Sequence, residues 1–231
     1  MKTQTNCRWI ASTLLLALSL APATVWAGLI EISNSDSGWY NESGRHQPTN
    51  TNYIAGWSKD PFPGAFHRNF FTFDLGTITG QVTSATIQLL ANGIVLPSTY
   101  TLYDVQTPTE VLTAGGTGLV AIYEDLGDGA IFGSREVNRD LSGQVIEITL
   151  NTSAIAALNA NRGTMFAFGG AVSPEERNYS VFGSTSFKES NRLVLNMAEV
   201  PTPSLLLLII TGLCVLRRCR ALQVDGYRRH S

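Results

Sequence analysis

The sequence predicts a mainly β protein: a two-sheet antiparallel, jelly-roll-like sandwich with two or three short helices, flanked by a signal peptide and a short C-terminal hydrophobic helix. Three observations carry that expectation. Short β-branched and aromatic runs recur along Gly28–Glu199, separated by Gly, Asn, Asp and Pro. Only three segments in the same stretch carry helix signals. All three cysteines (Cys7, Cys214 and Cys219) lie outside it, so its stability must come from a packed core rather than from disulfides.

The amino end comes first. Lys2 and Arg8 accompany an almost wholly apolar run from Trp9 to Ala21, and Val25-Trp26-Ala27 is a small-x-small cleavage site. Residues 1–27 are therefore expected to be a signal peptide, cut by signal peptidase between Ala27 and Gly28. The apolar run is too short for a comfortable membrane span.

Seven runs then read as strands: NFFTFDL (69–75), VTSATIQLLA (82–91), YTLYDV (100–105), QVIEITLN (144–151), MFAFGGAV (165–172), YSVFG (179–183) and RLVLNM (192–197). In QVIEITLN, Ile146, Ile148 and Leu150 alternate with Val145, Glu147 and Thr149, which gives one dry face and one mostly wet face. Asn92-Gly93 between apolar runs signals a tight turn. Three short helices interrupt the strands. Thr107-Pro108-Thr109-Glu110 reads as a capping box ahead of Val111 and Leu112, stopped by Gly115-Gly116. Leu119, Ile122, Tyr123 and Leu126 share one helical face that ends at Gly127. Ser153 is placed to cap AIAALNAN, which Gly163 stops. One domain over 28–199 follows, with no internal repeat and no dividing linker.

Charge narrows the partners. The chain carries a formal −2, but Gly28–Glu199 alone holds nine Lys or Arg against seventeen Asp or Glu, a balance of −8. An acidic exported domain lacks the positive footprint that nucleic acid or anionic lipid requires.

Chemistry-bearing residues are sparse. His46 and His67 are the only histidines of the domain and show no ligand spacing, so no zinc site is expected. Glu124, Asp125 and Asp128 beside glycines are weak calcium candidates, and they lack the spacing of an EF-hand loop. There is no G-x-S-x-G elbow and no domain cysteine for nucleophilic catalysis. No catalytic residue and no cofactor are expected. The polar-aromatic stretch from Trp39 to Trp57 is the leading surface candidate: Trp39, Tyr40, His46, Tyr53 and Trp57 could offer ring faces and donors to a sugar. The competing reading is a long loop whose aromatics pin it over the sandwich edge. Arg68, ahead of Phe70, Phe71 and Phe73, is expected to pair with Asp74 or Asp36.

The carboxyl end is a different kind of sequence. Leu205–Leu216 is twelve apolar residues, about 18 Å of helix against a hydrocarbon core of about 30 Å. Arg217, Arg218 and Arg220 would stay cytoplasmic and leave the domain outside. Pro201 and Pro203 keep the preceding segment extended, in a form that a protease can grip.

Pro201-Thr202-Pro203-Ser204, the apolar run and Arg217-Arg218-Cys219-Arg220 resemble the PEP-CTERM tail of Gram-negative bacteria. Thr202 stands where such tails carry an acidic residue, and residues 221–231 extend beyond the arginines. The resemblance implies a sorting tail over 200–220, a cytoplasmic extension over 221–231, cleavage by an exosortase-type membrane protease, and association with exopolysaccharide or biofilm matrix. GWYNESGRHQPTNTNYIAG, RNFFTFDLGTITGQVTSATIQLL and TLYDV also resemble an exported PEP-CTERM family of unknown activity. Arg68, Phe73, Asp74 and Leu75, ahead of the VTSA strand, resemble a DNRLRE-type β-sandwich module. Some such modules bind polysaccharide.

The expectation is an exported, non-enzymatic protein, passing the inner membrane of a Gram-negative bacterium and held there transiently through its tail. It would end at the cell surface or outside. Two alternatives stay open in order: a glycan-binding module of the same fold, with extracellular polysaccharide as partner, and then a matrix polysaccharide hydrolase.

Overall fold

Period-two burial shapes the strands. The computed structural model describes residues 28–50, 52–59, 64–173, 179–181 and 190–198. Among them run β1 (Gly28–Asn41), β2 (Ile54–Ser58), β3 (Ala65–Asp74), β4 (Gln81–Ala91), β5 (Ser98–Asp104), β6 (Ile131–Val137), β7 (Gln144–Thr149), β8 (Met165–Ser173), β9 (Tyr179–Val181) and β10 (Arg192–Ala198). Three helices accompany them: α1 (Thr109–Ala114), α2 (Val120–Asp128) and α3 (Thr152–Ala160). The protein is mainly β, as the sequence predicts.

Every strand pair is antiparallel, and the path runs β6-β5-β8-β3-β1-β10-β4-β7, with β2 beside β3 and β9 beside β2. β1 is the hinge of this path. Gly28–Ser33 pairs with β10, whereas Asn34–Asn41 pairs with β3, and a bulge lies between Asn34 and Asp36. At the far ends, β6 and the end of β7 come together. The Asn151 amide donates to the Phe132 carbonyl at 2.8 Å and its Nδ2 to Ile131 at 2.6 Å. Gly133 permits this approach, since a Cβ there would stand 2.7 Å from the Thr149 carbonyl. The sheet nearly closes on itself.

Apolar side chains from both halves of the path meet in one core. Ile87, Leu89, Ile146, Ile148, Leu193 and Leu195 pack in the same cluster as Phe71, Phe73, Leu102, Phe132, Phe166 and Phe168. Edge-to-face ring contacts such as Phe166–Phe168, with centroids 5.0 Å apart, add specificity to it. A second, smaller layer lies beneath α1 and α2, where Tyr40, Phe70 and Ala167 meet Leu112, Ile122, Tyr123 and Leu126.

The seven expected strands are present, 179–183 as β9 over 179–181 with 182–183 outside the described residues. Strands β1, β2 and β6 are additions. Two caps differ from the sequence reading. Thr107 does not cap α1, because its hydroxyl donates to Asp125 at 2.6 Å and the cap position falls to Pro108. Asn151, not Ser153, caps α3 by accepting from the Ala154 amide at 3.0 Å. Gly127 lies inside α2, which runs on to Asp128. Gly93 does take positive φ, yet Asn92-Gly93 closes no hairpin, since β4 pairs with β10 and β7. No helix of the described residues is long and apolar enough to cross a membrane. The signal peptide, the cleavage residues Ala27, Pro201, Thr202, Pro203 and Ser204, and the arginines Arg217, Arg218 and Arg220 lie outside the described residues.

Candidate functional site

Strand β1 sets the position of the first aromatics. Adjacent strand residues point to opposite faces, so Trp39 and Tyr40 enter different layers. Tyr40 joins the layer under the helices and donates its hydroxyl to the Leu112 carbonyl at 2.8 Å. Trp39 meets the His67 ring edge-on, with centroids 4.9 Å apart. Tyr53 lies in the main core and donates to the Leu90 carbonyl at 3.2 Å. Trp39, Tyr40 and Tyr53 are at most 1% exposed and His46 is 4% exposed, so their ring faces are not open to a sugar. Trp57 alone of the five is half-buried. Trp39 and Tyr40 belong to β1, Trp57 to β2 and Tyr53 to the main core, so these aromatics are neither one open platform nor parts of a single long loop.

Residues 42–46 are tied down at several points. Asn41 Oδ1 accepts from the Arg45 amide and the Ser43 hydroxyl, both at 2.8 Å. His46 forms a two-way backbone bridge with Gly116, at 2.9 and 3.0 Å. Its ring lies over Gly38, where a Cβ would stand 2.7 Å from His46 Cε1. Burial lowers the pKa of His46, against the opposing influence of the Trp39 carbonyl and the Asp36 charge. His67 is more extreme. Both its ring nitrogens lack a hydrogen-bond partner, and burial lowers its pKa to about 4, with the Ala65 and Gly56 carbonyls only partly opposing. Trp39 Nε1 and His46 Nδ1 are likewise unpartnered. Phenols respond in the opposite sense: burial raises Tyr40, Tyr53 and Tyr100, the last despite its hydrogen bond to Asn69.

Arg68 packs against α2. Its guanidinium stacks 4.4 Å from the Tyr123 ring centre and donates to the Tyr123 and Glu124 carbonyls at 3.2 and 3.1 Å. The Asp74 and Asp36 carboxylates accept from the Gly76 and Ser37 amides. Arg68 thus fastens α2 to the sheet.

The acidic trio on α2 does not converge. Asp125 accepts from the Gln106 amide, the Thr107 amide and the Thr107 hydroxyl, at 3.1, 2.8 and 2.6 Å. That carboxylate clamps the β5–α1 connection, a structural use the sequence reading did not foresee. Among the described residues, no three His, Cys, Asp or Glu side chains form a group that could hold a metal ion, Glu124 and Asp128 included.

Concave surface lies elsewhere. A cleft of about 580 Å3 runs between the end of β5, the start of α1, the end of α3 and the start of β8. Its walls carry Asp104, Gln106, Thr109, Glu110, Asn161 and Thr164, with Pro108, Met165 and Phe166 between them. A second cleft of about 410 Å3, lined by Asp36, Thr72 and Thr113 among others, shares Thr109, Glu110 and Met165 with the first. The two clefts adjoin at these residues. The sequence places these residues in separate strands, helices and connections, and nothing in it marks a groove until those stretches meet.

Neither a protein-family model nor a curated protein matches this chain. The candidate site therefore rests on its own geometry and chemistry.

Proposed function

We propose that this chain is an exported, non-enzymatic protein of the cell surface or extracellular matrix, a jelly-roll-like β-sandwich sorted through its carboxyl tail. The observation that carries the reading is the order of signals around the β domain. A cleavable leader precedes it, and Pro201-Thr202-Pro203-Ser204, an apolar run and an arginine cluster follow it. The sandwich reading is supported by β1, which passes at its bulge from pairing with β10 to pairing with β3, and by the core both halves of the path share. The tail is a transient anchor of PEP-CTERM type, cut near Val200–Ser204 by an exosortase-type protease.

Fusing residues 199–220 to an exported reporter, in a host carrying exosortase, tests this. The account expects a reporter shortened at its carboxyl end and released from the inner membrane. Changing Pro201 and Pro203 to Ala should block processing, because helix can then run back through the grip site. A full-length, membrane-bound reporter in the presence of the enzyme would make the tail an ordinary anchor.

A second reading has its own support. The adjoining clefts at Thr109, Glu110 and Met165 form a concave surface of mixed polar and apolar lining on an acidic exported domain, which favours a glycan-binding module of the same fold. No residue in this reading acts as a catalyst.

A further inference from the structure

We infer that the groove joining β5, α1 and β8 takes an uncharged glycan chain, whose hydroxyls donate into a row of acceptor oxygens; this rests on the glycan-binding reading and assigns its site and ligand class. The first argument is shape. Each cleft alone is the size of a small-molecule site, and the two lie side by side, sharing Thr109, Glu110 and Met165. A polymer, rather than a single ring, fills two adjoining clefts.

The second argument is the balance of donors and acceptors. Part of the donor capacity along the larger cleft is already spent within the protein: one N–H of each side-chain amide and the Thr164 hydroxyl. Gln106 Nε2 donates to Asp104 at 2.6 Å, Asn161 Nδ2 to the Ala157 carbonyl at 2.9 Å, and the Thr164 hydroxyl to the Asn161 carbonyl at 2.7 Å. What these bonds leave over is mostly acceptor capacity: a carboxylate oxygen on Asp104, the carbonyl oxygens of Gln106 and Asn161, and the carboxylate of Glu110, beside one N–H each on Gln106 and Asn161. An acceptor-rich groove calls for a ligand rich in donors, and a polyol presents one on nearly every carbon.

Charge then selects among polyols. Among the described residues no Lys or Arg lines either cleft, while Asp36, Asp104 and Glu110 do. Uronate or sulfate groups would meet like charge there. Met165 is 39% exposed in the stretch common to both clefts, and gives the apolar C–H face of a sugar ring something to rest on. The walls are also held in place before any ligand arrives. Asp125 fixes Gln106 and Thr107, and Asn161 is bonded back to the last turn of α3, so little ordering remains to be done on binding.

The test is affinity electrophoresis of the full chain, in mild detergent, through gels containing dextran, mixed-linkage glucan or galactomannan. Alginate and polylysine serve as the anionic and basic comparisons. The inference expects retardation by at least one neutral polymer and by neither charged one. Glu110→Ala and Asn161→Ala should each weaken that retardation about fivefold to tenfold, with Trp57→Ala unchanged and far-UV circular dichroism the same for all. Retardation lost in Trp57→Ala but kept in the groove variants would overturn the site and leave the glycan-binding reading standing. Binding to alginate alone would overturn the ligand class, and binding to polylysine alone would make the groove a site for basic peptide. No retardation by any polymer would remove the glycan-binding reading itself.

Discussion

Acid should loosen this fold through His67 more than through any surface group. The imidazole sits in β3, 2% exposed, edge-on to Trp39, with neither nitrogen bonded. Burial lowers its pKa from 6.5 to about 4. The folded-state value lies below the unfolded one, so on acidification the unfolded chain takes the proton first. The contribution of neutral His67 is therefore whole above pH 6.5 and is lost progressively as pH falls towards about 4. At about 1.4 kcal/mol per unit, that gap corresponds to about 3 kcal/mol. Carboxylates titrate over part of the same range, so the measurement must be a difference. Urea unfolding of the wild type and of His67→Phe, each from above pH 6.5 down to about pH 4, isolates the histidine. Phe keeps the ring contact with Trp39 and removes two unsatisfied buried nitrogens, a change expected to be near neutral or stabilising at high pH. The wild type should then lose about 3 kcal/mol more than the variant on acidification. Parallel stability curves for the two proteins would refute the argument and mean that His67 is solvated or bonded in solution.

Three further outcomes follow from the packing. Gly170→Ala should lower the melting temperature by several degrees, because the new Cβ would collide with Tyr100 Oη and Asn69 Oδ1 in the buried network, an overpacking cost of about 1–3 kcal/mol; thermal melts check it. Tyr40→Phe should cost about 1–2 kcal/mol in urea unfolding, since the Leu112 carbonyl loses its donor beneath α1. Melting of the domain should be the same with and without reductant, because no cysteine lies between Gly28 and Glu199.

The strands that could be read in advance are those with one wet face or an unbroken apolar run. Ile146 and Ile148 in β7 and Leu150 just after it alternate with Glu147 and Thr149 and are buried, while Val145 is 48% exposed. β1 was not legible for the opposite reason. Its second half is covered on both faces, and its sequence there, NSDSGWYN, fills those positions with Asn34, Ser37, Gly38 and Asn41 rather than with β-branched residues. Burial of such polar side chains depends on partners far along the chain, which no local pattern reports. Trp39 and Tyr40 misled in the same way. Neighbouring aromatics among polar residues look like a surface platform, but in a strand they point to opposite faces, and here both faces are covered. The groove was invisible because Asp104–Glu110, Asn161 and Met165 lie on three separate stretches, and only the register of β5 against β8 brings them together.

The central claim is that this domain is exported, anchored briefly and then cut free. Intact-mass spectrometry of the native protein, recovered from the medium and from the membranes of a host with exosortase, tests it most directly. The account predicts an extracellular chain that begins at Gly28 and ends within Val200–Ser204. A chain that still carries Arg217–Arg220 and is found only with the membranes would contradict it.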